Sequence, residues 1–277
     1  FFLSSLLIKE GWGVFATSRD IRNFSRIKKN GVHPILFSDK EEIEKTINKG
    51  VYVLNSIPPV EEGDPVLIKY SKLISEKKDL INWIGYFSTT SIYGDRKGDW
   101  VTESTLPTPS LPRSIKRLKV ENSWNKLSED NGITLNIFRL SGIYGPGRSS
   151  VDRLNAGEKL VVVDRRNQLF NRVHVLDIVA ITHLAMQKKL KNEVFNVSDD
   201  NPASQVEVTE FAASLMNFPS IKKVSLESDL ISDMARSFYL EEKKVSNKNV
   251  KRKLEYSFKF PSFIEGLTDI YENIIKV

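Results

Sequence analysis

The chain contains no cysteine. That excludes a disulfide framework and a thiolate metal site. Histidine is scarce: His33, His174 and His183 are scattered without metal-ligand spacing, which argues against a zinc centre. No apolar run approaches the ~18 residues of a membrane span. Phe1 to Ile8 (FFLSSLLI) is too short and lacks a basic leader, and Lys9-Glu10 follow directly, so it does not read as a signal-peptide core. No internal repeat or low-complexity tract is visible.

What is present is an ordinary globular balance. Of 277 residues, 40% are hydrophobic and 27% charged, enough to bury a sizeable core in one large or two modest domains. The formal net charge is +6. The basic pairs, such as Lys28-Lys29, Lys77-Lys78, Lys188-Lys189 and Lys222-Lys223, are dispersed and not interleaved with aromatics. A nucleic-acid footprint needs clustering on one face, so the charge fits a solvated surface, an anionic substrate or a phosphate-bearing cofactor better.

Apolar runs alternate with helical patterns along the first half. Strands are predicted at Trp12–Ser18, Val32–Phe37, Val51–Ile57, Leu80–Phe87 and Ile133–Leu140. The intervening helices include one opened by Ser38-Asp39 as a cap and one with an apolar stripe of Val66, Leu67, Tyr70, Leu73 and Ile74. This βαβ pattern predicts a parallel sheet. In such sheets, ligands lie outside the carboxyl ends of the strands. The strand ending at Phe87 runs into Ser88-Thr89-Thr90-Ser91, short hydroxyls that suit a substrate oxygen or, equally, a plain turn. The strand ending at Leu140 runs into a turn with three glycines and a proline, which lets backbone approach a ligand.

Several segments resemble one family. Ser88-Thr89-Thr90-Ser91-Ile92-Tyr93-Gly94, followed by Glu103, Pro107 and a helix carrying Glu121, is similar to the active-site segment of extended short-chain dehydrogenases, the NAD-dependent epimerase/dehydratase group. Arg139-Leu140-Ser141-Gly142-Ile143-Tyr144-Gly145-Pro146-Gly147-Arg148 resembles the family segment beside the nicotinamide, and is the most specific match. Asn171-Arg172-Val173-His174-Val175-Leu176-Asp177 resembles the substrate-side segment, and Lys243 to Asn247 and Phe260 to Leu267 resemble carboxyl-terminal ones.

The resemblance implies a Rossmann-type, doubly wound parallel α/β sheet. Residues 1–150 would form the dinucleotide-binding domain, and 151–277 a smaller mixed substrate-side region intertwined with it. The strand and glycine-rich turn that should precede the first helix are not in the sequence, which therefore reads as lacking its first ~10 residues. The implied cofactor is NAD or NADP. Its expected contacts are Ser18, Arg19, Asp39, Asn55, Ser56, Ile57, Ser88, Leu140, Ser141, Gly142 and Ile143. Arg19 leans toward a 2′-phosphate and hence NADP; a solvated turn at Arg19-Asp20 is the other reading.

In the family, a Ser or Thr is followed by a catalytic Tyr and, four residues later, a Lys. Thr89 falls on the first position. Counting back from Glu121, Arg113 falls on the Tyr position and Arg117 on the Lys position. Arginine stays protonated and has no acceptor, so it cannot act as the acid/base, although its fork can hold ribose or phosphate. Thr89, Arg113 and Arg117 are the candidate catalytic residues; Tyr93, Tyr144, Arg148, Arg172 and His174 are candidate substrate contacts. His174 reads better as a structural hydrogen-bonding residue than as a general base. Two functions stay open: an epimerase/dehydratase-like or reductase-like enzyme on a nucleotide-sugar-like or other polar metabolite, and a non-catalytic dinucleotide-binding sensor or scaffold. Either implies a cytoplasmic protein with a small-molecule ligand, no nucleic-acid or membrane partner, and a homodimer as a compatible assembly.

Overall fold

The structure, a computed structural model, describes residues 1–218 and 221–275. In chain order its main elements are α1 (Phe2–Lys9), β1 (Phe15–Ser18), α2 (Phe24–Lys28), β2 (His33–Leu36), α3 (Lys40–Thr46), β3 (Val51–Asn55), α4 (Pro65–Glu76), β4 (Ile81–Thr89) and β5 (Trp100–Val101). There follow α5 (Pro112–Asn131), β6 (Leu135–Leu140), β7 (Gly142–Tyr144), α6 (Ser150–Asn155), β8 (Val161–Val163), β9 (Arg172–His174), α7 (Val175–Lys188) and β10 (Glu193–Val197). The last are α8 (Gln205–Leu215), β11 (Lys222–Val224), α9 (Asp233–Phe238), β12 (Lys244–Val245), α10 (Lys248–Leu254) and α11 (Phe263–Ile275). The fold is a mixed α/β structure of Rossmann type, with a parallel central sheet in the strand order β10-β6-β4-β3.

The chain packs into two compact units. One comprises Phe1–Tyr86, Val120–Asn136 and Val179–Glu193; the other comprises Phe87–Lys119, Ile137–Ile178 and Val194–Val277. In the first unit β1 and β2 form a parallel ladder of their own, Phe15 opposite His33 through Ser18 opposite Leu36. The predicted strand at Trp12–Ser18 starts only at Phe15, after a glycine stop at Gly11. β3 lies parallel to β4, Tyr52 opposite Trp83.

Local chemistry explains α4. Asp64 accepts from the Val66 and Leu67 amides, and Pro65 occupies the first helical position, where its missing N–H costs nothing. Asp64 is itself buried, with its other oxygen taken by Asn55 Nδ2 at 2.8 Å and Trp124 Nε1 at 3.4 Å. Of the expected stripe, Tyr70, Leu73 and Ile74 are the members that become fully buried.

The second unit has its own core, in which Tyr144, Val151, Leu154 and Leu160 meet Val208, Ala212, Phe263 and Leu267. Helix α8 starts at Gln205, where Ser204 and Glu207 form a capping box. Short parallel ladders join β7 to β9, β5 to β12 and β8 to β11. No helix among the described residues is long and apolar enough to cross a membrane.

Candidate functional site

The carboxyl end of β4 carries the hydroxyl cluster. Ser88 is buried, and its Oγ has no hydrogen-bond partner. Thr89 Oγ1 accepts from the Ser91 amide at 3.2 Å and so caps the single 3-10 turn Thr90–Tyr93. Its hydroxyl also meets Ser91 Oγ at 3.2 Å, and Ser114 Oγ donates to Ser91 Oγ at 2.9 Å. This hydroxyl chain ties the first turn of α5 to the strand end. Gly94 closes the turn at φ +71°, and a Cβ there would lie 2.1 Å from the Thr108 carbonyl oxygen, so only glycine lets the following loop fold back.

Tyr93 is fully buried. Its hydroxyl donates to Asn196 Oδ1 at 2.7 Å and accepts from Arg139 Nη1 at 2.9 Å. Burial pushes the phenol above its ordinary range, and the Arg139 guanidinium opposes this. Asn196 is anchored in turn, its amide N–H donating to Glu103 Oε1 at 2.8 Å. Tyr93 therefore sits inside the unit, braced from two sides.

Arg113 and Arg117 stand one turn apart on α5. Arg117 Nη1 donates to the Phe87 carbonyl at 3.1 Å, immediately before Ser88. Arg113 Nη1 donates to Ser237 Oγ at 2.8 Å, and its guanidinium carbon lies 4.5 Å from the centre of the Phe238 ring. Neither Ser237 nor Phe238 carried a signal in the sequence.

At the end of β6, Leu140 and Ser141 are buried, and Ser141 Oγ has no partner. The Ser141 amide donates to the Val197 carbonyl and the Gly142 amide to the Asn171 carbonyl, both at 3.0 Å. Ile143 is half-buried and Arg148 exposed. Tyr144 packs inside against His174, its hydroxyl donating to the Ser262 carbonyl at 3.1 Å; burial drives the phenol far above its ordinary range.

Arg172 is buried and donates to the carbonyls of Phe170 and Ala203 and to Gln205 Oε1. Desolvation lowers it to about 10. His174 is buried, Nδ1 accepts from the Leu176 amide at 3.3 Å, and burial lowers it to about 4, so the ring is neutral near pH 7. Asp177 anchors the C-terminal segment by accepting from Tyr256 Oη and the amides of Lys259 and Phe260. Asp199 is buried with Oδ2 unpartnered, and desolvation raises it to about 8.

The remaining expected contacts lie in the first unit. Ser18 Oγ donates to the Asp20 carbonyl at 2.9 Å and accepts from the Asp20 amide. Asp20 is paired with Arg22, whose hydrogen bonds hold its carboxyl below the usual range, while Arg19 is exposed. Asp39 caps α3 by accepting from the Glu42 amide at 3.0 Å. Asn55 is buried between Asp64 and the Ile57 amide; Ser56 is exposed and Ile57 half-buried. Among the described residues no group of His, Cys, Asp or Glu could hold a metal ion.

A family model described as the NAD dependent epimerase/dehydratase family matches residues 2–198. Protein YeeZ of Escherichia coli K12 is 25% identical over 239 residues, covering 82% of this chain and 84% of that protein. A functionally unknown conserved protein from Silicibacter pomeroyi DSS superposes with a TM-score of 0.90 at 33% identity, covering 98% of this chain and 94% of that one. The UDP-glucose 4-epimerase of Thermotoga maritima, solved with UDP-glucose, shares the fold with a TM-score of 0.77 at 19% identity, covering 100% of this chain and 96% of its own.

Proposed function

The chain belongs to the NAD-dependent epimerase/dehydratase family, and from that premise we propose that it binds NAD or NADP and acts with it on a polar, nucleotide-sugar-like metabolite through a site without the usual Tyr/Lys pair. One observation carries this reading. Ser88 and Ser141 close neighbouring strands β4 and β6, both are buried, and neither hydroxyl has a partner. Buried polar groups are almost always hydrogen-bonded, so two orphans at adjacent strand ends fit polar groups of a ligand.

The residues present suit a dinucleotide. Ser88 and Ser141 are the proposed contacts that carry this reading; Ser18, Arg19, Asp39, Asn55, Ser56, Ile57 and Gly142 are contacts that the family resemblance implies. Asp20 is neutralised by Arg22, whereas Arg19 carries no carboxylate partner among the described residues, which favours a 2′-phosphate and NADP. When bound, the nicotinamide supplies a hydride acceptor or donor. Thr89 would bind a substrate oxygen, and Arg117 and Arg113 would stabilise negative charge without exchanging protons.

The same two arginines favour a second reading, a dinucleotide-binding sensor. Arg113 is engaged by Ser237 and Phe238, and no acid/base stands in its place. Fluorescence titration with NADH and NADPH tests the shared premise, with Ser88→Ala and Ser141→Ala expected to weaken binding several-fold. Hydride exchange across a panel of nucleotide sugars then separates enzyme from sensor. Failure to bind either dinucleotide sinks both readings.

A further inference from the structure

We infer that Arg113 and Phe238 form a receptor for an oxyanion carried on an apolar group, so that the polar substrate proposed above bears an apolar moiety beside its carboxylate or phosphate ester; this rests on the reading of the site given above. Residues four apart share a face, about 6 Å apart along the axis. Arg117 reaches the Phe87 carbonyl, next to Ser88 and Thr89. The face of α5 that bears Arg113 is therefore the face turned to the candidate site.

Arg113 is oriented without being neutralised. Ser237 Oγ gives its own hydrogen to the Met234 carbonyl at 2.6 Å, so its lone pairs are directed to Arg113 Nη1. The guanidinium carbon lies over the Phe238 ring. Both supports are neutral, and no carboxylate pairs with Arg113 among the described residues. A guanidinium has five donors in a rigid fork that matches carboxylate and phosphate oxygens bidentately. A fixed fork with its charge uncompensated is an anion receptor in waiting.

The apolar half follows from α9. Phe238 is 54% exposed and Met234, four residues earlier on the same face, 69% exposed. Burial accounts for neither side chain, and Phe238 stands against the Arg113 guanidinium. An apolar body attached to the oxyanion would cover them while the charged end occupied the fork.

Calorimetry on the full chain, with and without saturating dinucleotide, tests this with four probes: acetate, benzoate, phenyl phosphate and benzyl alcohol. Benzoate or phenyl phosphate should bind at least tenfold more tightly than benzyl alcohol, and benzoate more tightly than acetate. Their ratio assigns the oxyanion as carboxylate or phosphate. Arg113→Gln should cost at least tenfold for both anions, and Arg113→Lys less. Phe238→Ala should weaken benzoate but not acetate. Both side chains are exposed, so the variants should fold, which circular dichroism checks. Unchanged anion affinity in Arg113→Gln, or equal binding of benzyl alcohol, overturns the receptor. Equal binding of acetate and benzoate overturns its apolar half. Anion binding by a chain that takes no dinucleotide upholds the receptor and removes only the cofactor reading.

Discussion

The Asn171 carbonyl accepts the Gly142 amide hydrogen at 3.0 Å, and the side chain of the same residue grips another segment. Asn171 Nδ2 donates to the Lys243 carbonyl at 2.7 Å and Oδ1 accepts from the Val245 amide at 2.8 Å. Lys243 also forms a buried ion pair with Glu241 at 2.9 Å and donates to the Gly94 carbonyl at 2.9 Å. One amide thus couples the strand at Gly142 to the C-terminal segment that supports the Gly94 turn. Asn171→Ala should cost about 2–4 kcal/mol, for two main-chain groups left unpaired at roughly 1–2 kcal/mol each. Asn171→Asp keeps the acceptor for Val245 but sets a carboxylate against the Lys243 carbonyl, so it should not recover the loss. Urea denaturation checks both; equal stability of wild type and Asn171→Ala would contradict the coupling.

Tyr93 gives a second test. Removing its hydroxyl leaves Asn196 Oδ1 and one Arg139 donor without their partner, at about 1–3 kcal/mol. Tyr93→Phe should therefore lower the denaturation midpoint and leave dinucleotide affinity within a factor of two. A variant of native stability that binds dinucleotide or substrate poorly would return Tyr93 to the ligand.

A third concerns Gly266 on α11. A Cβ at Gly266 would sit 2.1 Å from Tyr144 Oη. Gly266→Ala should destabilise by about 1–3 kcal/mol through overpacking. Tyr144→Phe loses the bond to the Ser262 carbonyl and removes the nearest atom, while ring carbons 2.6 and 2.7 Å from that Cβ remain, so the double variant should recover only part of the Gly266→Ala cost relative to the sum of the singles. Additive effects in a double-mutant cycle would show that the contact is relieved some other way.

These residues also show where sequence reasoning reached and where it stopped. The alternation of strands and helices and the cap at Asp39 were legible because each depends on neighbours in the chain, whereas Gly142–Tyr144, expected to open a turn, extends as β7 against β9, a pairing with a distant segment. The S-x-x-E pattern at Ser204 and Glu207, which caps α8, is equally local. The engagement of Arg113 by Ser237, 124 residues away, left no local trace. Asp199 likewise looks like any polar loop residue. Its burial follows from the fold, with its amide donating to the Arg172 carbonyl at 2.7 Å.

That burial gives the last prediction, a pH dependence of stability. Asp199 has an ordinary value of 3.8 and is raised to about 8 in the folded chain by desolvation, the charge on Arg172 opposing the rise. The folded state therefore binds more protons than the unfolded state between these values, and stability falls as pH rises from about 4 to 8. His174 acts with the opposite sign. Desolvation lowers it from 6.5 to about 4, so the unfolded state binds the extra proton and stability rises with pH across that interval. The two contributions oppose each other below pH 6.5, and only that of Asp199 remains between 6.5 and 8. Arg172, Asp200, Asp177 and Tyr144 interact electrostatically with Asp199 and are common to wild type and variant. The difference between wild type and Asp199→Asn thus isolates the carboxyl. Asn imitates the protonated, neutral acid, so the variant should gain stability relative to wild type steadily from pH 5 to 8. Melting temperatures measured in steps across this range decide it: a difference that stays constant with pH would mean that Asp199 is already ionised in the folded chain, held by Arg172 against the cost of its burial.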